Sequence, residues 1–155
     1  MTKTNKDSPG ISLCMIVRDE EFSLENTLSV ARPHIDQIVV VDTGSTDQTI
    51  SIAKNYADTI EHFDWIDDFS AARNYSLQFA THPWILVLDA DEIIAPEDYV
   101  KLNEAILSES YDGFMLIQRQ YTNNPEANNP SWRLASGDDH FSKNYRGYVE
   151  NPILR

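Results

Sequence analysis

Residues 84–92 read WILVLDADE, an apolar run that ends in Asp89, Asp91 and Glu92, three carboxylates within four positions. Like charges this close repel one another, so the segment calls for a cation. In an extended segment residues i and i+2 project to the same side, which turns Asp89 and Asp91 into one space while the small Ala90 leaves room for a ligand. Hard oxygen ligands suit Mg²⁺ or Mn²⁺, and Mg²⁺ is usually held by one or two carboxylates together with substrate phosphates. The chemistry this spacing suggests is a metal ion bridging the chain to a phosphate group.

Two other stretches carry candidate chemistry. In VDTGSTDQT, residues 41–49, Gly44 permits a tight turn, and Ser45 with Gln48 three positions later matches a capping box, with Asp47 in the first helical turn. The free N–H groups of such a helix start and the carboxylate of Asp42 would face a base or ribose; a plain strand-turn-helix junction is the alternative. Neither G-x-x-x-x-G-K-[ST] nor G-x-G-x-x-G occurs, so a P-loop and a dinucleotide fingerprint are both absent. In DDFSAARN, residues 67–74, Arg73 is one of few cations near many carboxylates, and it either grips a diphosphate oxygen or pairs with a neighbouring Asp. His34, His62, His82 and His140 lack H-x-x-x-H or H-x-E spacing and read as surface or core positions.

The elements that must position these residues are legible as alternating strands and helices. Apolar runs at 11–17, 37–42 and 84–89 read as buried strands, and DTIEHF at 58–63 reads as a further, shorter strand. Between them lie a helix over 23–32 with Leu24, Leu28 and Ala31 on one stripe, a helix through Ile50 and Ala53, and a helix with Phe69, Ala72 and Leu77 that starts near Asp67 or Asp68. Pro96 opens a further helix over 96–107. This alternation predicts an α/β fold with a mostly parallel sheet covered on both faces and right-handed crossovers. Ligands of such sheets bind outside the carboxyl ends of the strands. Every such end is acidic here, with Asp19 and Glu20, Asp42, Asp67 and Asp68, and Asp89 and Asp91, so these residues are expected to converge on one edge. Residues 113–120 give another strand, 121–132 an Asn- and Pro-rich loop, and 145–155 a strand-like end.

A chain of 155 residues with 41% apolar content suits a single domain, taken as 11–155 after a disordered tail over 1–10. Its formal charge of −13 lacks the basic footprint of nucleic-acid binders and repels anionic membranes. Cys14, the lone cysteine, sits in the apolar run ISLCMIV as a small buried hydrophobe and excludes an internal disulfide. With no apolar leader and no run long enough for a transmembrane segment, the chain reads as cytoplasmic.

The stretches ISLCMIVRDEE, IVVVDTGSTDQT, DDFSAARN and WILVLDADE, in this order, resemble glycosyltransferase family 2, the inverting nucleotide-sugar transferases of the Rossmann-like GT-A fold. The likeness covers about residues 11–120 and is greatest to the bacterial branch that opens with CMIV[KR]NEE. It implies transfer of a sugar from a nucleotide-diphosphate donor, a UDP-sugar, to a glycan, lipopolysaccharide-core or peptide acceptor with inversion. By position, Val17, Asp19, Glu20 and Asp42 would hold base and ribose, Gly44, Ser45 and Asp47 would shape that pocket, and Asp68, Arg73 and Asn74 would line the donor site. Asp89 would touch ribose or metal, and Asp91 would be the main protein ligand of Mg²⁺ or Mn²⁺ at the diphosphate. The branch usually has Asn where this chain has Asp19. Family members generally run longer, so the catalytic base is expected beyond Arg155 and the chain is expected to be a truncated domain; Asp138, Asp139 and Glu150 match no motif for that base.

Two rivals remain. A donor-binding module without turnover would keep the same site but lack the positioned base. A haloacid-dehalogenase-like phosphatase also places D-x-D after a buried strand, and SGDDH at 136–140 resembles its late acidic motif. That fold wants its D-x-D on the first strand and Thr or Val two residues after the second Asp, where this chain has Ile93.

Overall fold

The computed structural model describes residues 9–107, 111–123, 132–135, 137 and 142–154. The expected tail, apart from Pro9 and Gly10, lies outside them, as do Asp138, Asp139, His140 and most of the Asn- and Pro-rich loop. The chain divides into two compact units, Met1–Glu109 and Ser110–Arg155.

The first unit is built on four parallel strands, β1 (Ile11–Val17), β2 (Gln37–Asp42), β3 (Thr59–His62) and β4 (Trp84–Val87), in the order β3-β2-β1-β4. The connecting helices are α1 (Leu24–Ala31), α2 (Thr49–Ala53) and α3 (Phe69–Leu77), and α4 (Pro96–Leu107) follows β4. All six residues of β2 are buried, as a strand covered on both faces requires. Cys14, Val39 and Val41 point to one face, where Phe63, Tyr75 and Phe79 pack on them. Leu13, Met15, Ile38 and Val40 project the other way and are equally buried. Burial pushes the Cys14 thiol up to about 11, so it is an inert core group. Leu24, Leu28 and Ala31 form the buried stripe of α1 as predicted, and Thr27 on that stripe donates from Oγ1 to the Ala90 carbonyl oxygen at 2.7 Å. That bond ties α1 to the turn after β4.

Two local expectations are corrected. Ser45 is not an N-cap, because α2 starts only at Thr49. The Asp42 carboxylate takes the N–H groups of Gly44 and Ser45, which bends the chain into a turn with Gly44 at φ 108° before the helix begins. Asp47 accepts from the Thr49 N–H in place of the predicted box. On α3 the buried positions are Ala72 and Ser76, whereas Phe69, expected on the core stripe, is 70% exposed. Asp68 is the N-cap of α3 and accepts from the Ala71 N–H at 3.0 Å.

The second unit is an antiparallel sheet of β5 (Met115–Thr122), β6 (Trp132–Leu134) and β7 (Gly147–Leu154), in the order β5-β7-β6. Arg119 and Glu150 face each other across β5 and β7 and pair at 3.1 Å. Glu150 therefore has a cross-strand partner.

Candidate functional site

The order β3-β2-β1-β4 reverses direction between β1 and β4, since the chain winds outward to β3 and then returns to the far side of β1. Such a switch point leaves a crevice at the carboxyl ends of the two strands. A cleft of about 440 Å³ lies there. Ile16, Val17, Arg18 and Glu20 at the end of β1 line it, with Asp89, Ala90 and Asp91 after β4 and Thr43 after β2. Trp65, Phe69 and Arg73, from the segment before α3 and from α3 itself, complete the wall.

Asp89 and Asp91 reach the cleft by a route other than the predicted one. β4 stops at Val87, and residues 89–92 form a turn closed by the Glu92 N–H on the Asp89 carbonyl at 3.0 Å and by the Asp89 N–H on Glu92 Oε2 at 3.0 Å. The i, i+2 rule of an extended segment therefore does not apply, and Glu92 serves as the clasp of the turn. Ala90 is buried with its carbonyl held by Thr27, so both flanking carboxylates lie on the cleft wall.

Of the two roles open to Arg73 from its sequence context, the structure shows the pairing with a neighbouring Asp. Nη2 donates to Asp89 Oδ1 at 2.9 Å. Nη1 is buried and has no hydrogen-bond partner among the described residues. A buried donor left unpaired costs about 1–3 kcal/mol, more when charged, so the Arg73 guanidinium retains hydrogen-bonding capacity that the described residues do not use. Asp91 is exposed on the same wall, and among the described residues no side chain engages its carboxylate.

The other predicted acidic residues do not converge on the cleft with open carboxylates. Asp19, at φ 53°, turns its carboxylate to the Thr46 N–H at 2.7 Å, while its own N–H donates to Ser45 Oγ. Asp42 is buried under its own turn, with His62 Nδ1 at 3.5 Å. Burial acts to raise Asp47, but hydrogen bonds from Thr49 Oγ1, Thr49 N–H and Glu21 N–H outweigh it and hold its carboxyl below the usual carboxylate range. Asp67 accepts from Trp65 Nε1, Asp68 caps α3, and Asn74 is exposed outside the cleft wall. Val17 and Glu20 do line the cleft, and Glu20 also accepts from Ser23 Oγ. Arg18, Thr43, Trp65 and Phe69 were not singled out from the sequence. The available signal was that Phe69 lies four residues before Arg73, on the same helical face.

Among the described histidines, His34 stacks on Tyr99 at 4.5 Å and His82 Nδ1 lies 3.2 Å from Ser12 Oγ. His62 lies near Asp42 and Asp64. None lines the cleft.

A four-stranded parallel sheet with its crevice between β1 and β4 and acidic residues at that crevice defines an α/β domain of the GT-A type. The chain belongs to glycosyl transferase family 2, which it matches over residues 12–153, across both units. Among curated relatives, it is 47% identical over 62% of its length to a TPR repeat-containing protein of Synechococcus elongatus, and 35% identical over 62% of its length to the prophage-derived glycosyltransferase SunS of Bacillus subtilis. The chain spans 24% and 23% of those two proteins. Its fold is similar to that of Staphylococcus aureus TarS 1-349, with a TM-score of 0.54 at 23% identity over 64% of this chain and 32% of that one. It is similar to the same extent to a mannosyltransferase of Pyrobaculum calidifontis solved with GDP-Man and Mn²⁺, again with a TM-score of 0.54 at 23% identity and the same coverage of 64% and 32%. Glucosyl-3-phosphoglycerate synthase of Mycobacterium tuberculosis, solved with Mn²⁺ and UDP, gives a TM-score of 0.50 at 22% identity over 57% of this chain and 36% of that one. Family membership sets aside the phosphatase alternative. No helix among the described residues is long and apolar enough to cross a membrane.

Proposed function

We propose that the cleft binds a nucleotide-diphosphate sugar, a UDP-sugar, through a divalent cation, and that the domain transfers the sugar with inversion to a glycan, lipopolysaccharide-core or peptide acceptor in the cytoplasm. The observation that carries this reading is the presence of the unengaged Asp91 carboxylate and the cationic Arg73 side chain on one cleft wall. One group suits a cation and the other an anion, and a metal-bound diphosphate is both. The solved structures of similar fold that hold Mn²⁺ with UDP or GDP-Man support it, and the lone buried Cys14 fits a reducing compartment.

The donor set was weighed against the metal. Among the described residues no three His, Cys, Asp or Glu side chains form a ligand group. Two carboxylates suit Mg²⁺ or Mn²⁺ only when substrate phosphates complete the shell, which is how Mg²⁺ is ordinarily held. Asp91 is then the main protein ligand, with Asp89, already oriented by Arg73, beside it. When bound, the ion stabilises charge that develops on the leaving diphosphate. Arg73 adds a fixed donor to the same charge, and Val17 and Glu20 border the nucleoside. Asp19, Asp42, Gly44, Ser45 and Asp47 act one step back by fixing the loop beside them, and Asp68 holds the start of α3, with Asn74 flanking Arg73.

A second reading is a donor-binding module without transfer. It is favoured by the engagement of the cleft's carboxylates, since Asp89 pairs with Arg73, Glu20 is tied to Ser23, and Asp91 is assigned to the metal. Calorimetric titration of UDP with and without Mn²⁺ into the wild-type chain and Asp91→Ala tests the donor site. Metal-dependent binding abolished by the substitution is expected; equal affinity in both proteins would remove Asp91 from its role. Loss of UDP-sugar in the presence of acceptor distinguishes the transferase from the binding module.

A further inference from the structure

The second unit carries a patch that the donor cleft does not use. Residues 110–155 hold five acidic and five basic residues, so the whole formal charge of −13 falls on residues 1–109. On one face of the β5-β7-β6 sheet, Tyr148 sits opposite Tyr121 of β5 and opposite Arg133 of β6, and cross-strand partners project to the same side. The Tyr121 and Tyr148 rings are 5.7 Å apart, and the Tyr145 ring, 44% exposed, lies 5.5 Å from that of Tyr121. Arg119 pins this aromatic cluster, since it pairs with Glu150, donates to Tyr121 and stands over the Tyr148 ring at 4.9 Å. Its charge is thereby matched by Glu150. Arg133 is exposed, and among the described residues no side chain pairs with it. The face is open, because Met115, Ile117 and Arg119 on its side of β5 are exposed whereas Leu116 and Gln118 on the other side are half-buried.

We infer that this face is a binding site for an acidic sugar residue, a pyranose ring of a glycan that bears a carboxylate or a phosphate. The electron-rich face of an aromatic ring attracts the polarised C–H groups on the face of a pyranose. Three tyrosines also bring hydroxyls, each able to donate and accept, to the rim of those rings, where sugar hydroxyls need partners. A neutral glycan would leave Arg133 without a role, whereas its guanidinium is the fork that carboxylate and phosphate oxygens match. Directly opposed strand residues stand about 5 Å apart, so the Tyr148 ring and Arg133 meet one sugar residue and its acidic substituent together. A single unmatched arginine suits one such substituent and not the phosphate ladder of a nucleic acid, which needs several cations. Residues 110–155 set no net negative charge against an anion, unlike residues 1–109. No residue of the patch lines the donor cleft, so the site stands independently of the nucleotide-donor reading.

The test titrates two matched pairs of trisaccharides, trigalacturonate with its methyl ester and 6-phosphomaltotriose with maltotriose, into the full 155-residue chain and into Arg133→Gln, Tyr148→Ala and Tyr148→Phe. Wild type is expected to prefer the acidic member of at least one pair by roughly tenfold, the scale of one hydrogen bond to a charged group. The pair that shows the larger preference identifies the acidic group as carboxylate or phosphate. Arg133→Gln should erase the preference and leave the neutral sugar unchanged, Tyr148→Ala should weaken both members alike, and Tyr148→Phe should keep most of the affinity. Thermal midpoints report whether the variants fold, and because Arg133 is exposed, Arg133→Gln decides the matter where Tyr148→Ala unfolds. The inference is overturned if neither acidic sugar is preferred, if the preference survives in Arg133→Gln, or if a folded Tyr148→Ala binds as wild type does. Tighter binding of single-stranded RNA than of either acidic sugar overturns it, as does a wild-type dimer that Tyr148→Ala dissociates in sedimentation, which would make the face a contact between copies. UDP binding with Mn²⁺ should be the same in wild type and variants; its absence from wild type overturns the donor reading alone, and its loss only in folded variants overturns the patch as a separate site.

Discussion

Two acidic regions share the carboxyl edge of one parallel sheet and differ in how far their polar atoms are engaged. Around the ends of β1 and β2, Asp19, Asp42 and Asp47 face backbone N–H groups, and each carboxylate is engaged by the loops it helps to shape. Around the end of β4 and on α3, Arg73 keeps one buried nitrogen unpartnered and Asp91 projects from a turn without a side-chain partner among the described residues. Both regions carry the same residue types. The difference teaches that a cluster of Asp residues marks a ligand site only where the surrounding backbone leaves their oxygens unsatisfied, because a carboxylate that accepts two or three N–H bonds has already found its partners.

The comparison can be sharpened from its largest consequence downward. Removing the donor fork in Arg73→Met should weaken Mn²⁺–UDP by roughly ten- to a hundredfold, as expected for a hydrogen bond to a charged group, and Arg73→Lys should recover only part of it because an ammonium cannot serve Asp89 and a phosphate with one fork. Titration calorimetry on the two variants reads this directly. On the closed side, Asp42→Ala should destabilise the fold by about 1–3 kcal/mol in urea unfolding, because the Gly44 and Ser45 N–H groups lose their acceptor. Thr27→Val, which frees the buried Ala90 carbonyl, should cost about 1 kcal/mol in the same assay. The smallest effect concerns pH. The Asp47 carboxyl is held below its usual 3.8 in the folded state, so its stabilisation is full above that value and fades as the pH falls through the folded value. Asp47→Asn should therefore lower the thermal midpoint at pH 7, and the gap to wild type should close in acid. Had the regions been alike, Asp42→Ala would remove binding with no loss of stability.

Much of this architecture was legible in the chain. Apolar runs located β1, β2 and β4, the mixed stretch DTIEHF located the shorter and less buried β3, and the spacing of Leu24, Leu28 and Ala31 located the buried face of α1, because periodicity reports burial directly. Caps and turns were harder to read. Ser45 and Gln48 fit a capping box in sequence, yet Asp42 reaches the same N–H groups first, and no local pattern ranks two acceptors competing for one donor. Phe69 fits a core stripe by spacing, but Ala72 and Ser76 are the buried positions of α3, and Phe69 lies against Trp65 on the cleft wall. For the candidate site, Asp89, Asp91 and Arg73 were legible as candidates because charge at a strand end is visible in sequence. Which of them retains an unengaged atom depends on the turn closed by Glu92 and on the Arg73–Asp89 pair, both products of the folded geometry.

The central claim is that the chain contributes half of a metal site and the nucleotide the other half. Electron paramagnetic resonance of Mn²⁺ measures this most directly, since the signal of the free ion falls as the ion binds. The account predicts little loss of that signal when protein alone is added, a large loss when protein and UDP are added together beyond that caused by UDP alone, and no such excess in Asp91→Ala. Tight Mn²⁺ binding by the protein without nucleotide, or an excess that survives in Asp91→Ala, would contradict it.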